Sequence, residues 1–202
     1  RIHPKGTIPA LLHEGNAVSN SNDILRYIEE TFPSPSLSPL DEKMCEDMWR
    51  SVDLAAESHI DIIKAQFYAF GLGRKCTDHD LELYKIYNSA LYDFHLKYRE
   101  GMSECQKAEI HAKTEKLLSN LNIQLANQPY LVGAQFSVAD IAWVTNVIFL
   151  ERMGYDLHSY KNIYVWKKSI ERRPSINSRS KIPKIPPWII RLGFKIAQFK
   201  KK

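Results

Sequence analysis

The sequence predicts a mainly helical protein with a small β-containing piece at its N-terminal end. Three observations carry this prediction. Residues 7–18 show a strand–turn–strand pattern, and a Ser/Pro-rich segment at 34–39 separates that pattern from the rest. From Asp41 to Arg173 the apolar residues recur almost only at helical spacing.

Thr7–Leu12 reads as a short strand, Glu14-Gly15-Asn16 as a turn, and Ala17-Val18 as the start of a return strand, together a hairpin. A helix follows from about Ser21 to Thr31, with Ile24, Leu25, Tyr27 and Ile28 on one stripe; Pro33 and the segment Ser34–Pro39 end it. Met44, Met48, Trp49 and Val52 lie on one long helix from Asp41 to about Phe70, which Gly71-Leu72-Gly73 breaks. Thr77 and Asp80 have capping-box spacing and open a helix to roughly Tyr98. Ser103–Ala126 is a third helix with Leu117, Leu118, Leu121 and Leu125 on its apolar side. Ser137–Met153 is the most strongly apolar helix, and Asn162–Arg173 is another that Pro174 stops.

The organisation is therefore a β-containing piece at 1–33, a linker at 34–40, a helical domain at 41–174, and a second linker with a basic tail at 175–202. A hairpin plus one helix buries too little surface to be a complete domain. Residues 1–33 are thus expected either to continue a unit that begins before Arg1 or to pack wholly on the helical domain.

The 202 residues are 44% hydrophobic and 25% charged, which excludes global disorder. No apolar run reaches the ~18 residues of a membrane-spanning helix. The net charge of +5 is unevenly placed: residues 172–202 hold ten Lys and Arg and no acid, leaving 18 basic against 23 acidic residues elsewhere. An acidic body with a basic tail points to a polyanionic surface. Cys45, Cys76 and Cys105 show no metal-ligand spacing, so no metal is expected, and reduced thiols of a cytoplasmic protein are the simplest reading. Cys76 follows Arg74 and Lys75, which would favour its thiolate; a loop cysteine without a role is the plainer alternative.

In the tail, Arg191, Lys195, Gln198 and Lys202 form one polar stripe if the segment is helical, with Trp188, Ile189, Leu192, Ile196 and Phe199 largely opposite. Trp188, Arg191, Lys195 and Phe199 are the candidate membrane contacts of an interfacial helix on anionic lipid. A helix folded back over the body and a disordered tail are the alternatives. Nucleic acid is not an expected partner, since the tail carries no recognition motif and the body is acidic.

Three segments, in order, carry a family resemblance. The first is Ile2-His3-Pro4-Lys5-Gly6-Thr7-Ile8-Pro9-Ala10-Leu11. The second runs Val18-Ser19-Asn20-Ser21-Asn22-Asp23-Ile24 and continues through Tyr27-Ile28 to Phe32-Pro33. The third is Tyr130-Leu131-Val132-Gly133 with Phe136-Ser137-Val138-Ala139-Asp140-Ile141. Together they resemble the cytosolic glutathione S-transferases. The resemblance implies an α+β protein: a partial thioredoxin-like domain in 1–33 and an all-α transferase C-terminal domain in 41–174. It implies glutathione as co-substrate, a homodimer, and conjugation or cleavage of a hydrophobic electrophile by an activated glutathione thiolate.

The resemblance places glutathione on Thr7, Ile8, Pro9, Asn20 and Ser21. It favours a cis Ile8–Pro9 bond over an ordinary edge-strand proline. Ser21 stands at a helix N-terminus, where a peptide carboxylate fits. The family usually has an acid at the position of Asn20, which here is neutral. Ser137 and Asp140 read as a structural capping box. The family's thiol-activating Tyr, Ser or Cys lies near its first helix; no segment here matches that region, so the catalytic residue is unassigned and expected before Arg1. The length between Phe67 and Lys113 resembles bacterial β-etherases, reductive dehalogenases and the ganglioside-induced differentiation-associated branch. Phe67, Phe70 and Tyr84 either line an electrophile pocket or pack in the core. A non-enzymatic, transferase-like binding or membrane-associated module is the alternative to an enzyme.

Overall fold

The computed structural model describes residues 8–71, 73 and 75–177. Thr7 and the tail residues Trp188, Arg191, Lys195 and Phe199 lie outside the described residues. Strand β1 (Ala10–His13) pairs antiparallel with β2 (Asn16–Ser19), Ala10 opposite Ser19 and His13 opposite Asn16. The two-residue loop needs positive φ at both positions, and Glu14 (49°) and Gly15 (82°) supply it, the primed turn that matches strand twist. The described strand starts at Ala10, later than the sequence pattern suggests.

Helix α1 (Ser21–Thr31) has no fully buried residue, and Leu25 is its contact with the main core. Glu29 on α1 accepts hydrogen bonds from Leu37 N (3.0 Å) and Ser38 Oγ (2.8 Å), which ties down the linker. Helix α2 (Glu42–Ser58) is capped by Asp41, whose Oδ1 accepts from Met44 N at 2.8 Å.

The long helix expected from Asp41 to Phe70 is not uniform. After α2 a π-type turn spans His59–Lys64 before α3 (Ala65–Ala69). A side chain from outside accompanies the change: Asn146 Nδ2 donates to Ala55 O at 2.8 Å, drawing on a carbonyl of the last α-turn. That bond turns the amide so that Asn146 Oδ1 faces His59 Nδ1 at 2.9 Å. The single helix expected from 78 to 98 is in fact two, α4 (Asp78–Tyr87) and α5 (Ser89–Lys97). Asn88, at φ −159° and ψ 80°, ends one and caps the next, its Oδ1 accepting from Leu91 N at 3.2 Å.

Helix α6 (Glu104–Gln124) opens on a reciprocal cap: Gln106 Oε1 accepts from Ser103 N at 2.8 Å, and Ser103 Oγ from Gln106 N at 3.2 Å. Helix α7 (Val138–Met153) ends at Gly154, whose φ of 110° suits glycine. Helix α8 is Lys161–Glu171. Pro174 does more than stop it. It stands first in the short α9 (Pro174–Asn177), where a missing N–H is harmless.

The core lies where α2, α6, α7 and α8 meet. Met48, Val52, Leu118, Val147, Leu150, Ile163 and Ile170 are fully buried there. Gly133 has φ 73°, a conformation that strains any residue with a Cβ; a Cβ there would also push aside the terminal methyl of Met44, 2.4 Å away. The buried Lys167 ammonium is matched by Glu151 (3.0 Å) and Glu171 (2.6 Å).

Asp140 is the polar centre of this core and wholly buried. Its Oδ2 accepts from Ser137 N at 2.8 Å and from Ser137 Oγ at 3.2 Å. Its Oδ1 accepts from Leu131 N at 3.0 Å and Trp166 Nε1 at 2.7 Å. One carboxyl group thus joins the start of α7, the preceding loop and α8. Replacing Asp140 by Ala strands these donors in the interior. We expect a loss of about 3 kcal/mol or more in urea unfolding, with a smaller loss for Asp140→Asn.

Candidate functional site

The β-hairpin register gathers most of the sequence-predicted contacts. Because Ala10 faces Ser19, the segments Ile8-Pro9 and Asn20-Ser21 leave the hairpin at the same end. Ile8 is 94% exposed, and the Ile8–Pro9 bond is cis, as the resemblance implies. Asn20 adopts φ 73°, ψ 140° as the N-cap of α1.

Its side chain does not cap the helix. Instead Asn20 Nδ2 donates to Asp23 Oδ2 at 2.9 Å, and among the described residues no side-chain cap is made to the first turn. The first turn of α1 thus presents its N–H groups, uncapped by Asn20, at the positive end of the helix dipole. A ligand carboxylate suits that place, and the exposed Ser21 hydroxyl stands on the same turn. Asp23 adds a carboxylate beside Asn20, where a ligand ammonium would find its counter-charge.

The neighbouring wall comes from α2. Asp53 accepts from Asn22 Nδ2 and from Arg26 NH2, each at 2.9 Å, and the Arg26 guanidinium lies 4.3 Å from the ring centroid of Trp49.

The expected aromatic pocket residues are spread over two packing regions. Phe67 and Phe70 pack against the main core, Phe67 edge-on to Phe149 with centroids 6.4 Å apart. Tyr84 stacks on His95 at 5.1 Å, and His95 shares a 2.6 Å hydrogen bond with Tyr68 OH. These contacts are those of helix packing.

A second polar group lies deeper. Gln66 Nε2 donates to Thr114 Oγ1 (2.7 Å) and to Tyr155 OH (2.6 Å), and His111 Nδ1 is 3.0 Å from the same Tyr155 oxygen. Tyr160 donates to Glu115; burial and that carboxylate push its phenol up to about 12. Burial raises Tyr155 and lowers Lys64 from their ordinary values. The tyrosines are thus held protonated, which suits a structural network. Among the described residues no group of three or more His, Cys, Asp or Glu could hold a metal ion, and no helix is long and apolar enough to cross a membrane.

Two family models match the chain in order: the glutathione S-transferase N-terminal domain over residues 1–31 and the glutathione S-transferase C-terminal domain over residues 86–174. The chain belongs to the glutathione S-transferase family. It is similar to the protein LigF of Sphingobium sp. (strain NBRC 103272 / SYK-6), 26% identical across 98% of this chain and 82% of that protein. The crystal structure of beta-etherase LigF superposes with a TM-score of 0.72 at 26% identity, covering 88% of this chain and 79% of that one. Glutathione S-transferase D7 of Drosophila melanogaster is 27% identical over 84% of this chain and 63% of its own length. A sphingomonad glutathione S-transferase solved in complex with glutathione shares the fold, with a TM-score of 0.61 at 18% identity over 96% of this chain and 77% of that one.

Within this transferase frame, sequence reasoning missed Asp23, Asn22, Arg26 and Asp53. The Asn20-x-x-Asp23 spacing is a capping signature and would have flagged Asp23. Nothing in the sequence pairs Asp53 with a helix that begins 32 residues earlier.

Proposed function

We propose that the protein binds glutathione at the open end of the β-hairpin and takes part in glutathione-dependent conjugation or cleavage of a hydrophobic electrophile. The observation that carries this reading is the uncapped first turn of α1 beside the exposed Ile8-Pro9 segment. The γ-glutamyl carboxylate accepts from the first-turn N–H groups and Ser21, while Asp23 faces the ammonium. Ile8 and Pro9, with Thr7 from the family motif, hold the peptide part in strand fashion. Asn20 orients Asp23 through its side-chain amide. When bound, glutathione supplies a thiol that serves as nucleophile in its deprotonated form.

The similarity to LigF supports ether cleavage as the first reaction to assay. The protein acts as a homodimer, as the family resemblance implies. Ser21→Ala should weaken glutathione binding about tenfold in isothermal titration, the loss of one hydrogen bond to a charged group. Unchanged affinity would remove this site.

The basic, apolar tail at 179–202 attaches the acidic body to anionic membrane. Deleting residues 179–202 should abolish co-sedimentation with vesicles containing phosphatidylserine. Full retention would assign the tail to the body instead.

A further inference from the structure

We infer that the segment Lys181-Ile182-Pro183-Lys184-Ile185-Pro186 docks on the body of its own chain, in an apolar groove between the linker and the loop before α7. The inference does not rest on the glutathione site, and it leaves residues 188–202 for the membrane. The segment is a Lys-Ile-Pro unit repeated twice. Proline fixes φ near the polyproline II value, and each isoleucine precedes a proline, which biases it to the same extended form. That form has three residues per turn, so a three-residue repeat sorts by face. Ile182 and Ile185 share one edge in it, and Lys181 and Lys184 share another.

The groove suits such a strand. It encloses about 290 Å³ and is walled by Leu37, Leu40, Met44, Val132 and Phe136, with Asp41 beside them. Leu40 is wholly exposed, an aliphatic side chain that no described residue covers. Aromatic and aliphatic grooves bind proline-rich strands because the strand is extended beforehand and loses little entropy. Two observations name this chain's own segment as the occupant. The first is where the described residues stop. The Arg173 guanidinium lies 3.7 Å from the ring centroid of Phe136, one wall of the groove, and the description ends at Asn177, the last residue of α9. Five extended residues, about 15 Å of chain, lead from there to Ile182, so the repeat lies within reach of that wall. The second is charge. Residues 172–202 hold ten Lys and Arg and no acid, while Asp41 and Glu42 are exposed where α2 meets the groove. Lys181 and Lys184 supply their counter-charge while the isoleucines cover Leu40.

The test uses the full chain without vesicles and reads the rate of tryptic cleavage after Lys181, Lys184 and Lys195 by mass spectrometry. Leu40→Gln removes the apolar contact and leaves the tail sequence unchanged. It should speed cleavage after Lys181 and Lys184 about fivefold, since cleavage follows the population of the undocked form, and leave Lys195 as it was. A second variant avoids any change to the body. Ile182→Asp combined with Ile185→Asp should raise hydroxyl-radical labelling of Leu40 and Phe136 about threefold, as water reaches side chains the segment had covered. If both readouts stay unchanged, the docking is wrong. If protection fades on hundredfold dilution, the groove holds the tail of a second copy and docking on the same chain is wrong, because an intramolecular contact does not depend on protein concentration. If protection needs phosphatidylserine vesicles, the membrane alone holds the segment and the groove assignment falls. The glutathione affinity of Leu40→Gln should equal that of the unaltered chain, so a failure here leaves the glutathione site standing.

Discussion

The buried carboxyl group of Asp140 is the constraint on which the rest of the structure depends. Four donors from three places converge on it: the amide and hydroxyl of Ser137, the amide of Leu131 and the indole of Trp166. Each carboxyl oxygen of Asp140 thus accepts two hydrogen bonds, so the buried group is fully matched by donors. The loop at 131 is held again through its carbonyl, which accepts from Gln124 and Gln128. The start of α7 is thereby placed relative to α6, α8 and their connection.

From α7 two routes lead to the candidate site. Along the first, Trp143 Nε1 donates to Ser51 and Asn146 Nδ2 to Ala55, which sets α2 against α7. Helix α2 then presents Trp49 and Asp53 to α1. Along the second, Val138 N donates to Leu37 O, and Leu37 N donates to Glu29 of α1. The site is thus held by polar contacts that radiate from the buried core. Its own residues are exposed and contribute little to stability, as binding residues on a rigid scaffold commonly do.

Much of this was legible in the sequence because it is local. The hairpin follows from its turn residues, and the caps at Thr77 and Ser103 follow from side chains three residues apart. The three family segments name Ile8, Pro9, Asn20 and Ser21 as expected glutathione contacts, and the hairpin register brings these four to one end. What escaped was non-local. The π turn at His59 is accompanied by contacts from Asn146, on a helix 87 residues away. The break at Asn88 was hidden because both flanking segments keep helical spacing, while the Asn88 side chain favours a cap. Phe67 and Tyr84 have the composition of a pocket, but their ring partners lie in separate packing regions. Asp53 carries no sequence signal toward Asn22, since only the fold sets α2 beside α1.

We propose that the first turn of α1 holds the γ-glutamyl carboxylate of glutathione. Titration calorimetry with glutathione and with cysteinylglycine, which lacks the γ-glutamyl group, tests it most directly. Glutathione should bind, and the dipeptide should bind about 100-fold more weakly or not at all, since it forfeits the charge-assisted contacts at the helix end. Equal affinity for the two peptides would contradict it.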